Sequence, residues 1–136
     1  RRDLEGYLQE MHALLEQVLV QSDGVANRLE LRLMERLNRL IGDRVDENRL
    51  AQEAAVQADK ADIAEELTRL ASHFEQFGSA LGQDGPVGRR LDFLTQEMNR
   101  EINTIGSKAV EAEVSNLVVE MKSILERMRE QVSNVE

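Results

Sequence analysis

With 136 residues, 41% of them hydrophobic, the chain has material for one helical core, read here as a single domain over residues 1–136. Aromatics make up only 3%, Cys is absent and the net charge is −9, which excludes disulfides and thiolate chemistry and sets the average field against free nucleic acid. The scarcity of aromatic pairs speaks against a β-sandwich or barrel, and no apolar run approaches the roughly 18 residues of a membrane span.

Leu4, Leu8, Met11, Leu15 and Val18 step by four and three, one face of a first helix. Ser22-Asp23-Gly24 ends it. A second helix is predicted over Val25–Ile41, with Leu29, Leu33, Leu37 and Leu40 as its buried line. Gly42-Asp43 closes that helix, and Asp46 is placed to cap an Ala-rich helix over Asp46–Lys60. Asp62, with Glu65 three residues later, reads as a capping-box variant. Ile63, Leu67, Leu70, Phe74, Phe77 and Leu81 follow as the strongest apolar stripe, and Gly82–Gly88 is the clearest loop.

Leu91, Leu94, Met98, Ile102 and Ile105 mark the next helix, with Gly106-Ser107 as a kink or boundary. The last segment carries Val110, Val114, Leu117, Met121, Ile124, Met128, Val132 and Val135. A helix over Ser107–Glu136 would be roughly 45 Å long. Spacing this close to a heptad points to long antiparallel helices or a subunit contact. The expected fold is all-α, a bundle of about five or six helices with a long C-terminal helix.

Three polar constellations stand out. Within Arg89–Lys108, Glu97, Arg100, Glu101, Thr104 and Lys108 fall at i, i+3, i+4, i+7 and i+11 on one helix face, with Gln96, Asn99 and Asn103 on an adjacent ridge. A solvated face with an i,i+4 ion pair is the plain reading. The mixture of Asn, Gln, Thr and Arg suits directed hydrogen bonds instead. Two carboxylates with a carboxamide nearby can hold Mg²⁺ or Mn²⁺, and Arg100 can grip a phosphate with two parallel bonds.

Asp62, Glu66, Arg69 and His73 share a second face, where a His beside a carboxylate can act as general acid or base. An ion pair and a His covering a helix junction is the simpler explanation. His12 has no comparable company and reads as structural or exposed. The third constellation is the row Arg28, Arg32, Arg36 and Arg39, which either tracks phosphates or pairs with acidic neighbouring helices. No Gly-rich phosphate loop, zinc-ligand spacing, nucleophile signature or aromatic platform for stacking bases is visible.

GRRLDFLTQEMNREINTIGSK at Gly88–Lys108 and REQVSNVE at Arg129–Glu136 resemble the C-terminal region of the YicC/YloC family of bacterial proteins. ENRLAQE (Glu47–Glu53) and DIAEELTRLASHF (Asp62–Phe74) resemble its helical region. The likeness covers nearly the whole chain, most strongly from Glu47 onward. It implies a divalent-metal-dependent endoribonuclease that assembles as an oligomer and has an N-terminal half of mixed α/β character. The chain would then be the C-terminal part of a longer, cytoplasmic protein.

The family's polar residues match Arg90, Asp92, Gln96, Glu97, Asn99, Arg100, Glu101, Asn103, Thr104, Ser107 and Lys108, and upstream Glu65, Glu66, Arg69 and His73. The expected site has Glu97, Glu101 and Glu66 on the metal. Glu97, Arg100, Glu101, Lys108 and His73, the last oriented by Glu66, form the catalytic set. Arg28, Arg32, Arg36, Arg90, Asn99 and Asn103 contact RNA. The expected partners are RNA and further copies of the chain, with no membrane and no small-molecule cofactor. The alternative is a helical oligomerisation or scaffolding module whose catalytic residues lie mainly in the missing half.

Overall fold

The computed structural model describes residues 2–22, 25–41, 52, 55, 62–83, 85–109 and 111–134. Five helices are present among them: α1 (Arg2–Ser22), α2 (Val25–Ile41), α3 (Ala64–Leu81), α4 (Gly88–Lys108) and α5 (Ala112–Val132). The all-α expectation holds. The Ala-rich helix expected over Asp46–Lys60, with its cap and the preceding Gly42-Asp43 stop, lies almost entirely outside the described residues.

Helices α1, α3, α4 and α5 form a four-membered bundle in which α1 packs on α3 and α5, and α4 packs on the same two. Neighbours run antiparallel. His12 meets Phe74 edge-on at 5.0 Å, and the level of Leu8 is that of Gly78, so α1 and α3 run in opposite directions. The polar pairs between α3 and α4 have the same sense.

The apolar stripes face one core. Leu4, Met11, Val18, Leu70, Phe74, Phe77, Leu91, Met98, Ile102 and Ile105 are wholly buried. Each such side chain is worth about 1.5–3 kcal/mol of transfer free energy, which offsets the conformational entropy lost on ordering the helices.

Two boundaries differ from the sequence reading. The Asp62 carboxylate accepts a hydrogen bond from the Ala64 N–H at 3.0 Å, but the N-cap position is Ile63, with no side-chain cap bond, so the expected capping box does not form. The C-terminal helix is also shorter than expected. Ala109 and Glu111 are extended, at φ −66°, ψ 122° and φ −103°, ψ 138°, so helix restarts only at Ala112. Its 21 residues span roughly 32 Å.

Gly106 does not break α4. A Cβ there would lie 3.1 Å from Val118 Cγ1, so Gly106 allows close approach of α5. Val118 belongs to the inward line of α5. Val118 and Leu125 are buried, while Leu117 and Ile124 are only partly so.

Helix α2 makes no extended packing with any described helix. Leu33 is half-buried and is the one residue of the expected α2 line whose side chain is described. Leu31 and Met34 are exposed. No helix among the described residues is long and apolar enough to cross a membrane.

Candidate functional site

Two carboxylates break the apolar seam between α3 and α4. Glu66 and Glu101 are each only 5% exposed. A buried carboxylate is costly unless a cation and hydrogen bonds compensate it, and both are compensated across the helix pair. Lys108 at the end of α4 donates to Glu66 Oε1 at 2.8 Å and to the Asp62 carbonyl at 3.3 Å. Arg69 of α3 donates from Nε to Glu101 Oε1 at 3.0 Å. Its other nitrogens lie 3.5 Å from Glu65 and 3.7 Å from Glu66.

The two polar faces read separately in the sequence thus meet within one chain. Their protonation follows the geometry. Burial pulls the Glu66 carboxyl upward, but the Lys108 hydrogen bond, a backbone hydrogen bond and the charges of Lys108 and Arg69 together hold it below its ordinary value. The hydrogen bond from Lys108 to Glu66 raises the lysine, and that from Arg69 to Glu101 raises the arginine. Glu66, Lys108 and Arg69 are therefore held in their charged forms near neutral pH.

This closed arrangement alters several expected roles. Glu97, Arg100, Glu101, Thr104 and Lys108 do not form one open face. Glu101 lies at the inner edge and is buried, whereas Arg100 lies at the outer edge, exposed and 3.5 Å from Glu97. Glu66 does not orient His73. Seven residues of helix separate them by roughly 10 Å of rise, and Glu66 is bonded to Lys108 instead. His73 is partly buried, with Nδ1 shielded and without a hydrogen-bond partner among the described residues; Glu66 Oε2 is in the same condition.

The expected metal ligands Glu66, Glu97 and Glu101 each already face a cation: Lys108, Arg100 and Arg69. Among the described residues no group of three or more Asp, Glu or His side chains is assembled that could hold a metal ion. Two guanidinium groups and an ammonium lodged beside the three carboxylates repel a dication, so this set does not fit one.

The arginine row of α2 is divided. Arg28 donates to both Glu111 oxygens, at 2.8 and 3.2 Å, and to the Gln21 carbonyl at 2.7 Å. Those hydrogen bonds hold the Glu111 carboxyl below its ordinary value. Arg32 lies 3.9 Å from the same carboxylate, and Arg39 pairs with Glu35 at 3.7 Å. Arg36 is exposed and makes no ion pair among the described residues. Glu111 escaped the sequence reading because it sits in the short α4–α5 turn, outside any periodic pattern.

The outer side of α4 is open. Arg89, Arg90, Arg100 and Asn103 are exposed and Asn99 is partly buried. Gln96 donates to Asp92 at 3.0 Å, while Thr95, Thr104 and Ser107 bond to carbonyls of their own helix. Phe93 is 57% exposed on the same helix. It drew no notice in the sequence because it looked like one more apolar residue beside Leu91 and Leu94.

Known proteins give this arrangement a context. Residues 18–136 match the sequence model described as endoribonuclease YicC-like, C-terminal. A probable endoribonuclease YicC of Clostridioides difficile (strain 630) is 47% identical over 124 residues, which cover 90% of this chain and 42% of that protein. A probable endoribonuclease YicC of Haemophilus influenzae (strain ATCC 51907 / DSM 11121 / KW20 / Rd) is 39% identical over 128 residues, covering 90% of this chain and 45% of its own length. The chain therefore spans less than half the length of these curated relatives. The match over residues 18–136 includes both sides of the ion-paired seam and the open face of α4, and the chain belongs to the YicC-like C-terminal family.

Proposed function

We propose that the full-length protein is a cytoplasmic endoribonuclease and that its helical region holds the RNA while the cleavage centre is completed elsewhere. The observation that carries this reading is the division of charge on α4. Glu101 is turned inward and neutralised by Arg69, while Arg89, Arg90 and Arg100 are turned outward. An acidic chain can bind a polyanion when its cations are gathered on one face and its carboxylates are engaged elsewhere.

In this reading Arg36, Arg89, Arg90 and Arg100 meet phosphates, and Asn99 and Asn103 present carboxamides. Arg32 contributes at the edge, and Arg28 serves mainly to tie α2 to Glu111. Glu66, Glu101 and Lys108 act as positioning residues of the seam. Glu97 orients Arg100. His73, only partly buried on α3, is the candidate acid or base for attack of water or of the RNA's own 2′-OH on the phosphodiester. A divalent metal, which the family resemblance implies, would take ligands from beyond the described residues.

The test compares RNA cleavage and RNA binding by the full-length protein and by this chain, with and without chelator. The reading expects both to bind and only the full-length protein to cleave. Failure of either to bind RNA contradicts it. His73→Gln in the full-length protein should slow cleavage without loss of binding; undiminished cleavage removes His73 from the mechanism.

One observation favours an assembly role alongside this. Leu31 and Met34 are exposed on α2, which lacks extended packing in the bundle. Light scattering on the full-length protein checks it: L31E/M34E should lower the assembled mass, and an unchanged mass would remove α2 from the contact.

A further inference from the structure

We propose that Phe93 is a stacking platform for one base of single-stranded RNA. The proposal rests on the reading that the full-length protein binds RNA, and adds the place and manner of one contact. The chain has three Phe and one Tyr. Phe74 and Phe77 are wholly buried and Tyr7 packs against the core, whereas Phe93 is 57% exposed. An exposed ring contributes little to the fold, because its transfer from water is left incomplete.

Its neighbours indicate what would cover it. On a helix, residues three, four and seven apart share a side. Arg89 and Arg90 precede Phe93 by four and three, and Gln96, Glu97 and Arg100 follow by three, four and seven. The strip holds three arginines against Asp92 and Glu97, a net of +1 on a chain of −9. Glu97 is itself engaged with Arg100.

A protein partner would look for an anchor ringed by other apolar groups. Among the described residues Phe93 is the sole exposed large apolar side chain on α3 or α4; the others lie on α1, α2 and α5. A lone ring among guanidinium groups and a carboxamide fits a nucleotide. The base stacks on the ring, the flanking phosphates meet the arginines, and the exposed amide reaches the base edge. The base must be unpaired, since a ring on a helix cannot reach the faces of stacked pairs in a duplex.

The experiment measures binding of a fluorescein-labelled, unstructured single-stranded RNA to the full-length protein by anisotropy, comparing wild type, Phe93→Ala and Phe93→Trp. Phe93→Ala should weaken binding about ten-fold without changing its salt dependence, because stacking releases no counterions. Phe93→Trp should bind at least as tightly as wild type, with indole fluorescence quenched on addition of RNA. The melting temperature should stay within about a degree for both, since the side chain is exposed. Equal affinity of wild type and Phe93→Ala overturns the stacking role while leaving RNA binding intact. Loss of assembled mass in Phe93→Ala assigns the ring to a protein contact and also overturns it. Absence of RNA binding by wild type contradicts the underlying reading and the proposal together.

Discussion

Arg69 of α3 donates its Nε–H to Glu101 of α4 at 3.0 Å, joining a half-exposed guanidinium to a carboxylate that is 5% exposed. The same guanidinium reaches toward Glu65 and Glu66, so one side chain neutralises the middle of the seam. Removing one partner of such a pair strands a buried charge, whereas removing both need not. Arg69→Ala should therefore lower the melting temperature more than the double variant Arg69→Ala/Glu101→Met. A thermal melt of the four members of this cycle checks it; additive losses would show that the pair is not coupled.

The neighbouring pair predicts a dependence on pH. The Glu66 carboxyl is held below its ordinary value of 4.5 in the folded chain. Its contribution to stability is fully present above that value and is lost as pH falls through the depressed one. Glu111, lowered chiefly by its hydrogen bond from Arg28, adds to the same acid limb. Lys108 is raised from 10.5, so its contribution is present below that value and is lost as pH rises through the folded one. In Lys108→Met, burial acts on Glu66 without its closest cation. The acid limb of melting temperature against pH should then become shallower than in wild type.

Core packing predicts a larger loss. Leu70 lies wholly buried on the α3 stripe. Leu70→Ala should cost about 2–5 kcal/mol, the range for a leucine truncated in a well-packed core. Urea denaturation gives the value. A cost below about 1 kcal/mol would mean that this part of the bundle is loosely packed.

Salt dependence separates phosphate contacts from other effects. If Arg90 meets one phosphate of a single strand, Arg90→Ala should reduce the slope of log affinity against log salt by about 0.7. Arg28→Ala should change that slope less, because Arg28 is engaged by Glu111.

Much of the fold was legible because its signal is periodic. The stripes from Leu4 to Val18, from Ile63 to Leu81 and from Leu91 to Ile105 are all buried, since a helix that joins a bundle must turn its apolar residues inward. The α5 stripe was read partly out of phase. Val118 and Leu125 are buried in place of Leu117 and Ile124, because the segment holds two overlapping apolar lines and the one through Val114, Val118, Met121, Leu125, Met128 and Val132, which also steps by four and three, faces the core.

The polar site was legible in its residues but not in their division of labour. Glu101 and Arg100 are adjacent in sequence, yet one is buried and the other exposed. Periodicity locates a face of some 100°; packing against α3 decides where its edge falls. The partners Lys108 for Glu66 and Glu111 for Arg28 lie 42 and 83 residues apart, beyond the reach of any spacing rule.

The most direct test of the central claim is RNA affinity of the full-length protein carrying Arg90→Glu and Arg100→Glu, measured beside its melting temperature. Both side chains are exposed, so the fold should melt close to wild type. The account predicts binding at least about ten-fold weaker, from the loss of two cations and the gain of two anions on the outer face of α4. Wild-type affinity in a normally folded double variant would contradict it.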